Sequence, residues 1–269
     1  FQAEDGIRDA QESRGLGDVY KRQFKNSKGE TLRGFIHKPR TYNKAAIFLH
    51  GFPGSCEGTA KSICRRLVKH GILCLRFDFS GTNLSDGRFE DKTISKEVSE
   101  IRDAIDFLER EYRVGSLTLI GTSTGAIEAA LYAHSDKRVK ALVLMGMIYD
   151  AKTGIGYDFS EEQQEMFGKK GYITYIRPSK WYHRKRLKKA YYDDFLKQDI
   201  PGSVRRFKGR LLFIHGKNDR FIPERDARML YREANNPKRF VTIEGTGHFY
   251  WGRYDKVSGI VGKFIRGLK

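Results

Sequence analysis

Short apolar runs alternate with amphipathic stretches along most of the chain. The apolar runs predict buried strands at residues 45–49, 73–77, 117–120, 139–144, 211–214 and 240–243. The amphipathic stretches predict helices at residues 59–70, 97–112, 125–133, 224–234 and 255–268. This alternation is typical of an α/β fold in which helices cover both faces of a mostly parallel central sheet.

The first predicted feature is a hairpin with strands at 24–26 and 32–37, which turns at Ser27-Lys28-Gly29-Glu30. The residues before it are unusual, because 2–23 resemble the translation of adapter DNA from sequencing libraries. We therefore expect residues 1–23 to be a non-native tail that is set aside in fold reasoning. A single domain over residues 24–269 follows, and the natural start would lie upstream of Phe24. A natural charged tail is the alternative.

The segment 148–207 departs from the alternation of apolar runs and amphipathic stretches, and it is called the inserted segment below. It is rich in Tyr, Lys and Arg and has no clear buried strand. A stretch this long between two strands usually has structure and a role of its own, so we predict a helical lid. Within it, residues 177–189 carry seven basic side chains and no acidic one. They form either a solvated basic helix face, which we favour, or a peripheral contact with an anionic membrane.

Charge and cysteine content change this picture little. The formal net charge is +18 and the pI is about 9.8, but Lys and Arg are spread along the whole chain. No nucleic-acid-binding module is recognisable, so we expect no nucleic-acid partner. Cys56, Cys64 and Cys74 lack metal-site spacing, which favours reduced thiols, no metal and a cytoplasmic location. No apolar run approaches the roughly 18 residues of a transmembrane helix.

Candidate chemistry begins at Gly121-Thr-Ser-Thr-Gly125, which follows the predicted strand 117–120 and precedes a predicted helix. A Gly-x-Ser-x-Gly step at a strand-to-helix turn is typical of a nucleophile elbow. Gly121 and Gly125 allow the backbone segments to approach closely there. Ser123 is the candidate nucleophile, with an ordinary loop serine as the alternative.

A serine nucleophile needs a base and an acid that orients it. Asp219 lies just after the predicted strand 211–214, and His248 lies in a Gly-rich loop after strand 240–243. The order Ser, Asp, His is the one expected of an α/β-hydrolase. Asp150, which follows another predicted strand, is the alternative acid.

Other titratable residues near these positions have different expected roles. Glu224 and Asp226 fall in the predicted helix after Asp219, which disfavours them as the acid. His215 precedes a glycine at a strand end, and we expect it to brace the acid loop.

An oxyanion site needs two N–H donors. The strand 45–49 ends in His50-Gly51-Phe52-Pro53-Gly54, and we predict that the N–H groups of Phe52 and Thr124 are these donors. His50 is expected to support the loop through hydrogen bonds. A simple Pro-Gly turn is the alternative.

Taken in order, HGFPGS, LRFDFSGTNLSDGRFED, GTSTGA, HGKNDRFIP and GTGHF resemble the α/β-hydrolase superfamily from Phe24 to the C-terminus. The second motif is most similar to the cinnamoyl and feruloyl esterase branch of carboxylesterases. It departs from that branch at 81–85, where GTNLS replaces Gly-His-Gly-x-Ser. The resemblance implies a serine carboxylesterase with Ser123, Asp219 and His248 as its triad and with no cofactor.

We therefore expect hydrolysis of small-molecule carboxylic esters with small to medium acyl groups, through an acyl-enzyme. A thioesterase or peptidase could use the same triad. A non-catalytic hydrolase-like binding protein is the alternative from a different class. The sequence leaves the oligomeric state and the natural substrate open.

Overall fold

The computed structural model describes residues 17–268. Its central sheet has eight strands in the order β1-β2-β4-β3-β5-β6-β9-β10. These strands are β1 Asp18–Lys25, β2 Thr31–Lys38, β3 Lys44–Leu49, β4 Ile72–Asp78, β5 Ser116–Thr122, β6 Val139–Met145, β9 Arg210–Gly216 and β10 Lys238–Ile243. The six strands from β4 to β10 in the sheet pair in parallel, whereas β1 and β2 are antiparallel additions at one edge.

Helices lie on both faces of this sheet, as the sequence predicts. They are α1 Thr59–Leu67, α2 Ile94–Glu111, α3 Thr124–Ala133, α8 Glu224–Glu233 and α9 Tyr254–Arg266. The period-2 alternation of a strand separates two cores: in β3, Ile47 and Leu49 join the core under α2 and α3, whereas Phe48 joins the core under α1 and α9. Because both faces are covered, β4 is buried along its entire length.

The predicted hairpin is present, but its first strand begins at Asp18, within the segment that resembles adapter sequence. The part of that segment before residue 17 lies outside the described residues. Of the eight residues of β1, Phe24 is buried, and the strand runs antiparallel to β2 from Asp18↔Lys38 to Lys25↔Thr31. An exposed sheet edge offers backbone hydrogen bonds to almost any sequence, so this pairing says little about the origin of residues 18–23.

The inserted segment contains four helices, α4 Ala151–Asp158, α5 Glu161–Lys170, α6 Lys189–Leu196 and α7 Ile200–Arg206. It also contains a two-stranded antiparallel sheet, β7 Tyr172–Thr174 and β8 Arg186–Lys188, which the sequence pattern does not predict. These strands are three residues long and each buries one side chain, Ile173 or Leu187, which is too little to produce a recognisable pattern. The basic stretch 177–189 consists of turns, β8 and the first residue of α6, so it does not form a helix face.

No helix within residues 17–268 has both the length and the apolar character needed to cross a bilayer.

Candidate active site

Ser123 occupies the single residue between β5 and α3. Its backbone has φ 55° and ψ −126°, a left-handed conformation that is rare and costly for a residue with a side chain. The turn is fixed from below, because the Ser123 N–H donates to the carbonyl of Met145 at 2.8 Å. The structure therefore has the sharp strand-to-helix turn that the Gly-x-Ser-x-Gly step predicts.

The glycines around Ser123 are required by close packing. A Cβ on Gly121 would lie 2.2 Å from the carbonyl oxygen of Gly125, and one on Gly125 would lie 2.4 Å from that of Leu49. A Cβ on Gly51 would lie 2.9 Å from Cβ of Ser123. These contacts hold the loop after β3 directly against the nucleophile turn.

Asp219 and His248 meet at the carboxyl edge of the sheet, after β9 and β10. Nδ1 of His248 lies 2.8 Å from Oδ2 of Asp219, and the other carboxylate oxygen accepts the N–H groups of Phe221 and Ile222 at 2.9 and 3.0 Å. Burial alone would raise the pKa of Asp219, but His248 and the two N–H groups outweigh it and hold that pKa below its usual range.

The same edge brings His248 towards the turn of Ser123. Gly146 directly follows Met145, whose carbonyl binds the Ser123 N–H. A Cβ on Gly146 would lie 3.2 Å from two ring atoms of His248. Gly146, in the loop after β6, therefore lies close to the ring of His248 and directly follows the residue that binds the Ser123 N–H.

The alternative acids have other partners. Asp150 caps α4, where its carboxylate accepts the N–H and the hydroxyl of Thr153, both at 2.9 Å. Glu224 and Asp226 lie in α8, as predicted. Among the described residues, the acid hydrogen-bonded to His248 is Asp219.

His215 lies beneath the acid loop. Its Nε2 is 3.0 Å from the carbonyl oxygen of Ile222 and 3.6 Å from Oδ2 of Asp219. Burial lowers the pKa of His215, so the ring is neutral and can donate to that carbonyl. This contact agrees with the predicted bracing role.

The two predicted oxyanion donors both belong to segments that adjoin Ser123. Thr124 is the first residue of α3, and Phe52 belongs to the loop packed against Ser123 through Gly51. Neither N–H has a hydrogen-bond partner within residues 17–268. Unpaired backbone N–H groups are able to bind an oxyanion, so the predicted role of these two donors is compatible with the structure.

His50 holds the Phe52 loop in place. Its Nε2 accepts the N–H of Phe79 at 3.3 Å, which leaves Nδ1 to donate to the carbonyl of Gly51 at 3.0 Å. Burial lowers the pKa of His50, so this neutral tautomer is the stable form. The supporting role predicted for His50 therefore has a specific hydrogen-bond basis.

A buried charged cluster lies behind this loop. Lys92 forms an ion pair with Glu97 and donates to the carbonyl of Ser80 at 3.1 Å and to the hydroxyl of Thr82 at 2.6 Å. Burial and the charge of Glu97 raise the pKa of Glu128, which lies on α3 against Glu97 and is therefore neutral. The cluster therefore connects α3, which begins directly after Ser123, to α2 and to the loop after β4.

Sequence reasoning missed the residues that the inserted segment contributes. The ring of Tyr191 stacks on Phe52 at 4.5 Å, and the Tyr191 hydroxyl is buried without a hydrogen-bond partner among the described residues. Oδ2 of Asp158 is also inaccessible and unpartnered within that range. Burial raises the pKa of Asp158 to about 7, and nearby His248 opposes the rise. Only three-dimensional packing reveals these two groups, since neither belongs to a motif.

This arrangement is suited to acyl transfer. A hydroxyl on a strained turn, an imidazole oriented by a carboxylate and two free N–H donors lie at one sheet edge. No cluster of three or more His, Cys, Asp or Glu side chains that could hold a metal occurs within residues 17–268.

The chain matches a known protein family. The family model described as serine aminopeptidase, S33, matches residues 41–201, well over half of the chain. The matched region includes the loop of Phe52 and the turn of Ser123 but ends before Asp219 and His248.

Curated relatives match part of the chain. Polyketide transferase ATR5 of Stachybotrys chlorohalonatus is 31% identical over 124 residues, which cover 45% of this chain and 42% of that protein. The mitochondrial palmitoyl-protein thioesterase ABHD10 of Homo sapiens is 32% identical over 135 residues, covering 46% and 42%. The matches thus span less than half the length of these relatives.

Solved structures match almost the whole chain. Est1E from Butyrivibrio proteoclasticus with bound ferulic acid has a TM-score of 0.78 at 24% identity, covering 91% of this chain and 98% of that one. The α/β hydrolase GrgF from Penicillium sp. sh18 has a TM-score of 0.73 at 19% identity, covering 92% and 96%. At these identities the likeness concerns the fold.

The fold and the family match agree. The fold of this chain, with its eight-stranded, mostly parallel sheet, is similar to that of Est1E over 91% of the chain and to that of GrgF over 92%. The match to residues 41–201 covers the strands and loops around the nucleophile turn. The chain therefore belongs to the serine aminopeptidase S33 family and has the α/β-hydrolase fold.

Proposed function

We propose that the protein is a serine hydrolase that cleaves carboxylic esters of small to medium acyl groups through an acyl-enzyme. The observation that carries the proposal is the 2.8 Å pair of Asp219 and His248 at the same sheet edge as the strained turn of Ser123. A non-catalytic binding protein does not require an imidazole that a carboxylate orients.

The chemistry has two halves. His248 takes the proton of the Ser123 hydroxyl as Oγ bonds to the acyl carbon, and Asp219 stabilises the imidazolium. The N–H groups of Phe52 and Thr124 bind the oxyanion. Collapse breaks the bond to the alcohol, which leaves with the proton from His248. Water then gives a proton to His248 as its oxygen bonds to the acyl carbon. The bond to Oγ of Ser123 breaks, Oγ takes that proton, and the carboxylic acid leaves. The reaction needs no cofactor.

The inserted segment, which acts here as a lid, would cover the acyl group. Tyr191 and Phe159 supply aromatic rings near Phe52, at 4.5 and 6.4 Å. The unpartnered polar atoms of Tyr191 and Asp158 suit an acyl group with a hydroxyl at its far end. The ferulic acid bound to the similarly folded Est1E is an acid of this kind, which supports hydroxylated aromatic acids as substrates.

Thioester hydrolysis is the second candidate. Several partial relatives have names of this class, among them a palmitoyl-protein thioesterase and a thiohydrolase. The same serine, base and oxyanion donors would serve, because the leaving atom changes from oxygen to sulfur and the acyl-enzyme does not.

A substrate panel tests the proposal. Wild type and Ser123→Ala are assayed with p-nitrophenyl esters of increasing acyl length, feruloyl esters, acyl-CoA thioesters and peptide amides. We expect short to medium esters to have the highest kcat/KM and the variant to lose several orders of magnitude. Faster turnover of thioesters at equal acyl length would favour the second candidate, and no Ser123-dependent turnover would reject both.

A further inference from the structure

Three exposed aromatic side chains form a continuous surface beside His248. Phe221, Phe249 and Trp251 are 57%, 42% and 70% exposed. The rings of Phe249 and Trp251 stack at 5.1 Å, and Phe221 contacts Phe249 at 5.6 Å. We call these three residues the aromatic platform. Large apolar side chains exposed together in this way commonly mark a binding surface.

The aromatic platform adjoins the base directly. The His248 ring lies 5.5 Å from Phe221 and 5.3 Å from Phe249. Phe221 follows the acid in the loop after β9, and Phe249 and Trp251 follow the base in the loop after β10. The aromatic platform is therefore built by the two loops that position Asp219 and His248.

The backbone beneath each ring is fixed by a side-chain hydrogen bond. The Phe221 N–H donates to Asp219 at 2.9 Å. The carbonyl of Phe249 accepts the hydroxyl of Thr59 at 3.1 Å, and that of Trp251 accepts the hydroxyl of Thr246 at 3.1 Å. A surface held in this way is preorganised, so a ligand binding there loses little affinity to ordering the loops.

The chemistry of acyl transfer separates the two halves of an ester. The carbonyl oxygen faces the N–H groups of Phe52 and Thr124, and the ring of Phe52 contacts the inserted segment at Tyr191. The leaving oxygen must instead reach His248, which protonates it as the bond to the acyl carbon breaks. Atoms attached to that oxygen therefore extend from His248 over the adjoining surface, which is the aromatic platform.

We propose that the aromatic platform binds the leaving group and selects alcohols that carry an aromatic ring over short alkyl alcohols. The proposal rests on the proposed ester hydrolysis and adds the class of alcohol released. Stacking of a ring on Trp251 and Phe249 supplies the preference, since offset and edge-to-face ring pairs are favourable beyond the area they bury.

Esters that share one acyl group test this assignment. Ethyl butyrate and 2-phenylethyl butyrate give the same acyl-enzyme, so any difference between them arises from the alcohol. They are assayed with wild type, Trp251→Ala, Phe249→Ala/Trp251→Ala and the control Met229→Ala, which removes a 39% exposed side chain from α8. We expect the kcat/KM ratio of phenylethyl to ethyl ester to fall about tenfold in the double variant. The ratio should be unchanged in the Met229→Ala control, and ethyl ester turnover by that control should stay within about twofold of wild type.

Two results would overturn the assignment while leaving the proposed hydrolysis intact. One is an unchanged phenylethyl to ethyl ratio in the double variant. The other is a wild-type dimer that dissociates in the double variant, since a second copy of the chain would then occupy the surface. Absence of wild-type turnover of both butyrate esters would overturn the two proposals together.

Discussion

Nδ1 of His248 lies 2.8 Å from Oδ2 of Asp219. Because Nδ1 donates to the carboxylate, Nε2 is left as the acceptor that can take a proton from a serine hydroxyl. The acid is itself fixed by the N–H groups of Phe221 and Ile222, so its orientation does not depend on the histidine. This relationship sets the expectations for variants of the acid.

Asp219→Asn is expected to lower kcat by about 10³- to 10⁴-fold with little loss of stability. The amide fits the same space but presents an N–H to His248, which favours the wrong tautomer. Asp150→Asn is the matched control, because Asn caps a helix as well as Asp and the α4 cap is retained. Steady-state kinetics on an ester together with urea unfolding measure both effects. Greater loss in the Asp150 variant would make that residue the acid.

Gly51→Ala is expected to lower kcat/KM by about 10- to 100-fold. The new Cβ would lie 2.9 Å from Cβ of Ser123 and from the carbonyl oxygen of Thr122, so the Phe52 loop has to move away from the nucleophile. Displacements near 1 Å cost rates of this order. Gly259→Ala in α9 is the control, since its Cβ meets no atom within 4 Å. Kinetics of both variants decide the matter, and full activity in Gly51→Ala would show that the loop does not supply a donor.

Glu128→Gln is expected to have a higher free energy of unfolding than wild type, by a margin that grows as the pH rises. The raised pKa means that the folded state holds a proton that the unfolded state releases above about pH 4.5. Wild type therefore loses stability above that pH, by up to about 1.4 kcal/mol per pH unit, and Gln does not titrate. Urea unfolding at pH 5 and pH 7 should show a difference between the two proteins that grows with pH. A constant difference would mean that Glu128 is ionised in the folded protein.

Asp158→Ala is expected to reduce the preference for hydroxylated aromatic acyl groups, because the alanine side chain cannot form a hydrogen bond. Methyl p-coumarate and methyl cinnamate differ by one phenolic hydroxyl, and the loss of one hydrogen bond to that group corresponds to about three- to tenfold in their kcat/KM ratio. The cinnamate rate is the internal control, because its acyl group has no hydroxyl to bind. An unchanged ratio would place the acyl group away from Asp158.

The framework of the sheet could be predicted because its central strands bury both faces. The predicted run 117–120 lies within β5, Ser116–Thr122, and the run 211–214 lies within β9, Arg210–Gly216. Strand ends were underestimated, since polar residues such as Thr122 complete a ladder through backbone bonds that hydropathy does not register. The strands β7 and β8 were missed because each is three residues long and buries one side chain.

The candidate site divides in a similar way. Each predicted triad residue comes after a strand of one parallel sheet. These positions were enough to predict that Ser123, Asp219 and His248 lie at the same sheet edge. Asp158 and Tyr191 belong to helices whose place over the site depends on tertiary packing. The aromatic platform was missed because Phe221, Phe249 and Trp251 resemble core residues until their exposure is known.

The central claim is that Ser123 is the nucleophile, and covalent labelling tests it most directly. A fluorophosphonate reacts with activated serines, and peptide mapping by mass spectrometry locates the adduct. We predict one adduct, on Ser123 of wild type, and a substrate ester should reduce its formation by competition. The adduct should be absent from Ser123→Ala, and this variant should also lose ester turnover. An adduct on another residue, or wild-type turnover by Ser123→Ala, would contradict the account.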